Sequence, residues 1–292
     1  MSKTINNFIK PIKTILILLI YLILPSISYK LINKITNLSI NSSDTYDVVV
    51  IELLLDLISF IVFCIIFRKK IFKDYQVSIN NIFKLLESIL LYYILFSIVN
   101  FFVSYLVVFI YNMFGIEYQA IDNQISIEEM FKSAPRLIFI DACVIAPLIE
   151  EMVFRVSIRE SIKNNGVFIS ISGLIFGIAH ISQHILTLIS ILIMGIMIDY
   201  IVNMNISKKL KVYYVGCAIL ITCLISYLIL SNIYVLNTLI QEFKLSELIG
   251  SISYISAGMV LAYVYVKNNN LILNASVHSL NNVMSFISLL IH

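Results

Sequence analysis

Charge is what this chain has least of. Only 13% of its 292 residues are Asp, Glu, Lys or Arg, and 60% are hydrophobic. Soluble domains carry about 25% charged and 45–50% apolar residues. A water-soluble fold of this length has no use for so much apolar side chain, and the mean hydropathy of +0.97 points to a bilayer. Cysteine is also scarce: Cys64, Cys143, Cys217 and Cys223 each sit inside an apolar run, and none forms a C-x-x-C pair. That excludes a disulfide framework and a thiolate metal site. With four prolines and eight glycines, the chain shows neither the broken helix pairs nor the inverted repeats of a transporter. Low-complexity linkers and repeats of 20–50 residues are absent as well. The net charge of +3 comes from short basic clusters between apolar runs, not from a stripe, so it gives no nucleic-acid signal.

The runs themselves come next. A spanning helix needs about 20 mostly apolar residues. Nine stretches qualify as candidates, at 14–33, 48–67, 83–112, 136–157, 167–181, 185–203, 213–236, 248–266 and 271–291. The expectation is an all-α polytopic bundle of eight or nine spans. Residues 1–115 form three N-terminal spans without a motif, and residues 136–292 form the core that carries the chemistry. The basic segment Met1–Lys13 precedes a run that holds Pro25 and lacks a small-x-small cleavage site, which reads as a first span rather than a removed signal peptide. Residues 113–135 are the longest polar connection, with a surface helix expected near Ile125–Lys132.

The basic residues test this partition. With the N-terminus cytoplasmic, fifteen of the twenty fall on that side: Lys3, Lys10, Lys13, Arg68, Lys69, Lys70, Lys73, Lys84, Arg155, Arg159, Lys163, Lys208, Lys209, Lys211 and Lys267. Five fall outside: Lys30, Lys34, Lys132, Arg136 and Lys244. The split favours an N-in orientation. Ile-, Lys- and Asn-rich usage without tryptophan points to an AT-rich bacterium, so the expected location is a bacterial plasma membrane.

An ionisable group in hydrocarbon costs about 2.5–3.5 kcal/mol on insertion scales and is a functional hypothesis by default. Three groups within the runs stand out. In Glu150-Glu151-Met152-Val153-Phe154-Arg155, Glu151 and Arg155 are four apart and can pair. Glu150 is rotated about 100° away, free to face a cavity. In Phe176-Gly177-Ile178-Ala179-His180, the aromatic and the histidine share a face, and the small residues let another helix approach closely. In His278-Ser279-Leu280-Asn281-Asn282, His278 and Asn282 share a face. Each group alone also fits a structural role: a charged helix end, a core histidine, interhelical hydrogen bonds. Their spacing ties them together. About a turn at Asn164-Asn165-Gly166, Glu150 and His180 each lie fifteen residues from Asn165, so an antiparallel hairpin brings both to one depth, about 22 Å along. Asp141 precedes Glu150 by two to three turns and could face the same cavity. Glu150 could then take a proton from a water near His180, while His278 and Asn282 hydrogen-bond the developing oxyanion.

These three motifs resemble the CAAX-protease and bacteriocin-processing family, whose pattern is E-E-x-x-x-R, F-x-x-x-H and H-x-x-x-N on separate transmembrane helices. The resemblance covers about 136–291, including Pro147-Leu148-Ile149 before the glutamates and Gly173-Leu174-Ile175 before Phe176. It implies an intramembrane endopeptidase in which Glu150 activates water, His180 assists, His278 and Asn282 form the oxyanion site, and Glu151, Arg155 and Phe176 support them. It implies as substrate a membrane-associated or lipidated peptide or protein; eukaryotic relatives cleave prenylated tails, and bacterial ones serve peptide maturation and bacteriocin immunity. The run at 213–236 is an extra helix relative to that pattern. Zinc is the one cofactor the side chains would allow, through Glu150, His180 and His278, although no H-E-x-x-H occurs. Metal-dependent and glutamate-type chemistries both stay open. A non-enzymatic immunity or scaffold protein on the same fold is the alternative, disfavoured because every motif residue is kept. Ile127-Glu128-Glu129-Met130-Phe131 lacks the arginine and reads as surface. Ser170-Ile171-Ser172-Gly173 lacks the leading glycine of a rhomboid nucleophile.

Overall fold

The computed structural model describes residues 3–36, 45–116, 122–181, 185–235 and 245–291, and all regular structure among them is helical. The elements are α1 (Lys3–Thr36), α2 (Thr45–Asn80), α3 (Ile82–Phe114) and α4 (Asp122–Ser133), then a continuous helical run, α5, from Pro135 to Ser161. After it come α6 (Asn165–Ile181), α7 (Ile185–Asn203), α8 (Lys208–Val235), α9 (Leu245–Asn268) and α10 (Leu271–Ile291). Each of the nine apolar runs lies on one of these helices, the seventh as far as Val235, and α4 is the helix expected near Ile125–Lys132.

Among the described residues, four helices are long and apolar enough to cross a membrane: Ile9–Lys34 within α1, α2, α3, and Leu248–Asn268 within α9. The chain is thus an integral membrane protein, and length and composition alone do not confirm the expected eight or nine spans. The reasons are local. At about 1.5 Å per residue, the 17 residues of α6 reach about 26 Å, short of the roughly 30 Å hydrocarbon core. Helix α10 carries Asn274, His278, Asn281 and Asn282 where a lipid-facing span would be apolar.

Alternating helices put the polar turns at two ends, and hydrogen bonds tie one of them together. Lys13 Nζ of α1 pairs with Glu160 Oε2 of α5 at 2.8 Å. The backbone N–H groups of Lys163 and Asn164 donate to Asp199 Oδ1 of α7 at 3.1 and 2.6 Å. Lys70 Nζ of α2 donates to the backbone oxygen of Asn269 in the α9–α10 turn, at 2.6 Å. Next to it, the Asp74 carboxylate accepts the N–H of Leu271, the first residue of α10, at 2.7 Å. That bond satisfies a donor which every helix start leaves orphaned. Asn269 occupies the left-handed region, φ 47°, which asparagine tolerates better than most residues. At the opposite end, α4 packs on α2 and α5, and Phe131 of α4 meets Phe286 of α10 edge-on, centroids 4.7 Å apart.

Helices α6 and α9 approach most closely, through glycines. A Cβ on Gly173 would lie 2.8 Å from the backbone nitrogen of Met259, and one on Gly258 would lie 2.9 Å from Gly173 Cα. Absence of side chain here fixes the axial register of α6, and with it the position of His180.

Candidate active site

Helix α5 is not a uniform α-helix. Two π-helical segments, Asp141–Ile145 and Met152–Ser157, flank the α-helical turn Ala146–Glu151 that carries the glutamates. A π segment re-aims side chains and leaves carbonyls without their usual partner. The first has a specific consequence. Ala146 N–H bonds back to Asp141 O rather than to Ala142 O. The next residue, Pro147, has no N–H to offer. Ala142 O is thus orphaned within its own helix, and Asn282 Nδ2 of α10 donates to it at 2.8 Å. Within the second segment, Phe154 O accepts from Ser172 Oγ of α6 at 2.8 Å, and Ser157 O from Thr14 Oγ1 of α1 at 2.9 Å. The helix is stitched to α1, α6 and α10 through these three carbonyls.

The adjacent glutamates have separate environments. Glu151 is fully buried and its carboxylate is saturated. Arg155 Nε stands 3.1 Å from Oε2, Asn274 Nδ2 donates to the same oxygen, and His278 Nδ1 lies 3.0 Å from Oε1. Arg155, also fully buried, donates through Nη1 to Ser172 Oγ at 2.8 Å and stacks 4.9 Å from the Phe176 ring. The expected i, i+4 pair is therefore present, but as the core of a buried network, not at a helix end. Truncating one partner of such a pair costs about 3–5 kcal/mol.

Glu150 faces the other way, into a cavity of about 380 Å³. Its Oε1 lies 3.9 Å from His180 Nε2, and its Oε2 lies 3.7 Å from His278 Nε2. Tautomers follow from the outer nitrogens. His180 Nδ1 is 2.7 Å from Phe176 O, which only accepts, so Nδ1 carries the hydrogen and in the neutral ring Nε2 is a bare lone pair. Two acceptors 3.9 Å apart do not bond each other, whereas one water can donate to both. His278 Nδ1 faces a carboxylate and likewise carries the hydrogen. Its Nε2 therefore donates only when the ring is an imidazolium, a condition the oxyanion role imposes on it. Phe176 packs against both imidazoles, centroids 4.4 and 5.7 Å apart, and Tyr254 of α9 stacks on His180 at 4.7 Å.

The structure thus brings together Glu150, His180, His278 and Asn282, with Glu151, Arg155 and Phe176 behind them. Several partners escaped the sequence. Asn274 completes a stripe with His278 and Asn282 at four-residue spacing, a signal that was readable. Ser172, discounted as a nucleophile, holds Arg155. Tyr21 and Glu52 line the cavity from helices without a recognisable motif, and Asp141 lines it too, as expected from its spacing to Glu150; Asp141 also hydrogen-bonds to Asp56.

Zinc ligands would stand about 2.0–2.1 Å from the ion, and two of them in a tetrahedron about 3.4 Å from each other. The glutamate-to-histidine separations are wider, and among the described residues no group of three His, Cys, Asp or Glu side chains is arranged to hold a metal. As placed, the set is wider than a zinc tetrahedron, and no step below runs through a metal.

No curated protein and no solved structure matches the chain significantly. Residues 132–213, which include both glutamates, Arg155, Phe176 and His180, match the family model described as type II CAAX prenyl endopeptidase Rce1-like, a match consistent with the CAAX-protease and bacteriocin-processing family that the three motifs resemble.

Proposed function

We propose that the chain is an intramembrane endopeptidase of the CAAX-protease type, hydrolysing a peptide bond in a membrane-associated or lipidated peptide. The observation that carries this reading is Glu150, between two imidazole Nε2 atoms at 3.9 and 3.7 Å, on the wall of a cavity large enough for a peptide segment. A substrate water donates one hydrogen to Glu150 and the other to His180 Nε2. Glu150 takes its proton as the water oxygen adds to the carbonyl carbon. The oxyanion accepts from His278 Nε2, whose ring lies between the Glu150 and Glu151 carboxylates, and from the second N–H of Asn282, the first being spent on Ala142 O. Glu150 then returns its proton to the amide nitrogen as the C–N bond breaks, giving a carboxylic acid and an amine. Glu151 and Arg155 do not touch substrate; they orient His278 and the α5 turn. The eight- or nine-span bundle, the N-in orientation and the bacterial membrane belong to this reading too, supported by the nine apolar runs and the basic-residue split.

The test uses purified protein on a panel of quenched, lipidated peptides. Wild type cleaves, Glu150→Ala and His180→Ala lose at least about 10²-fold in kcat while their melting temperatures hold, and chelator leaves the wild-type rate unchanged. Variants that cleave as wild type does would show the assigned site to be wrong.

A further inference from the structure

The site is open in one direction. Every α5 residue on the cavity wall lies between Ile138 and Glu150, and every α10 residue on it lies from His278 to Leu289. Ile127 and Met130 of α4 line its far wall. On the other side of Glu150 the molecule is closed: Glu151, Arg155, Ser172 and Asn274 are each fully buried, and the interlocked turns around Asp74, Asn269 and Asp199 lie beyond them. Among the described residues the cavity therefore extends from the glutamate toward the α4 end and not toward the opposite end.

The two ends differ in charge. The closed end is where the turns bearing Lys13, Lys70, Arg159, Lys163, Lys211 and Lys267 gather. Arg155 is buried in the core and drops out of the earlier count; among the described residues fourteen basic residues belong to that end, against Lys30, Lys34, Lys132 and Arg136 at the α4 end. Basic residues near span ends stay on the cytoplasmic side.

We infer that the catalytic cavity opens toward the extracytoplasmic face, so that the substrate is a polypeptide segment presented at the outer side of the membrane, as in an exported or outward-anchored peptide, and not a tail offered from the cytosol. This rests on the endopeptidase reading for the word substrate; the direction of the opening rests on geometry and charge alone. The mouth suits such a segment. Ile127, Met130, Phe286 and Leu289 give apolar walls for side chains, while water reaching Glu150 from the aqueous outer face supplies the second reactant that hydrocarbon cannot.

The experiment introduces one thiol at each end of the full chain and labels intact cells with a membrane-impermeant maleimide, with wild type as background for the four native cysteines. Ser285→Cys, on the cavity wall and exposed, is expected to label from outside. Lys267→Cys, in the closed-end turn, is expected to label only after permeabilisation. The reverse pattern overturns the inference. In a second arm, an impermeant peptide that the purified enzyme cleaves is added to right-side-out and to inverted vesicles. Cleavage confined to right-side-out vesicles supports the inference, and cleavage confined to inverted ones overturns it. A wild type that cleaves nothing in any format sinks the protease reading, while the labelling still decides which way the cavity faces.

Discussion

At the scale of single residues, neighbouring side chains of one type have been given different work by rotation about one helix. Glu151 has three partners and no exposure; among the described residues Glu150 faces the two imidazole edges across the cavity. Asn274 and Asn282 repeat the division on α10, the first donating to Glu151 and the second to a backbone carbonyl with one N–H left over. On the proposed mechanism Asn282→Ala removes an oxyanion donor, so kcat should fall about 10²–10³-fold with KM little changed. Asn274→Ala should act on stability instead, leaving part of a buried carboxylate unsatisfied at a cost of about 1–3 kcal/mol, read as a lower melting temperature. Equal effects on rate and stability in both variants would contradict this division.

At the scale of elements, the π segments of α5 matter most, and they are where sequence reading stopped. Apolar periodicity located the helix, and the i, i+4 rule paired Glu151 with Arg155. Neither carries information about an inserted residue per turn, because the apolar pattern is equally dense on every face of α5. Pro147 was the available clue: a proline inside an apolar run must strand a carbonyl somewhere, and the stranded group turns out to be the one Asn282 binds. Pro147→Ala would supply a competing N–H to that region. It should leave melting unchanged or raised while lowering kcat about tenfold, since a misplacement of about 1 Å at a catalytic group costs up to 10²-fold. A fully active Pro147→Ala enzyme would remove the π segment from the account. Glycine contacts were legible in kind, since small residues beside His180 invite a close helix, but their partner was not; only the fold shows that α9 is what approaches. Gly173→Ala forces a methyl to 2.8 Å from Met259 N. It should destabilise by about 1–3 kcal/mol and displace His180, visible as a loss of both melting temperature and rate.

At the scale of the whole molecule, the second half was readable because its polar residues are few and the bilayer makes each one conspicuous. The first half was less so, because Thr14 and Tyr21 stand singly, and the like-charged i, i+4 pair Glu52 and Asp56 acquires a definite place only against α5. Spanning length is hardest to judge in the core, where short or polar helices lean on α2, α3 and α9 for an apolar surround. Long-range clasps hold the catalytic helices in register. The Asp74 carboxylate, carried by α2 and buried, fixes the first N–H of α10 two turns before His278. Asp74→Ala should therefore lower kcat, while Asp74→Asn, which keeps an acceptor oxygen, restores much of it; identical losses in the two would assign the effect to the Lys70 charge pair instead.

The account's central claim is that adjacent carboxylates are divided into one that reacts and one that holds. Glu150→Gln and Glu151→Gln, nearly isosteric with wild type, put that to the test in paired measurements of kcat on the cleaved peptide and of melting temperature in the same detergent. The account predicts that Glu150→Gln abolishes cleavage at an unchanged melting temperature, and that Glu151→Gln lowers the melting temperature by leaving Arg155 buried beside a neutral amide. Cleavage surviving in Glu150→Gln, or a melting loss that falls on Glu150→Gln and spares Glu151→Gln, would contradict it.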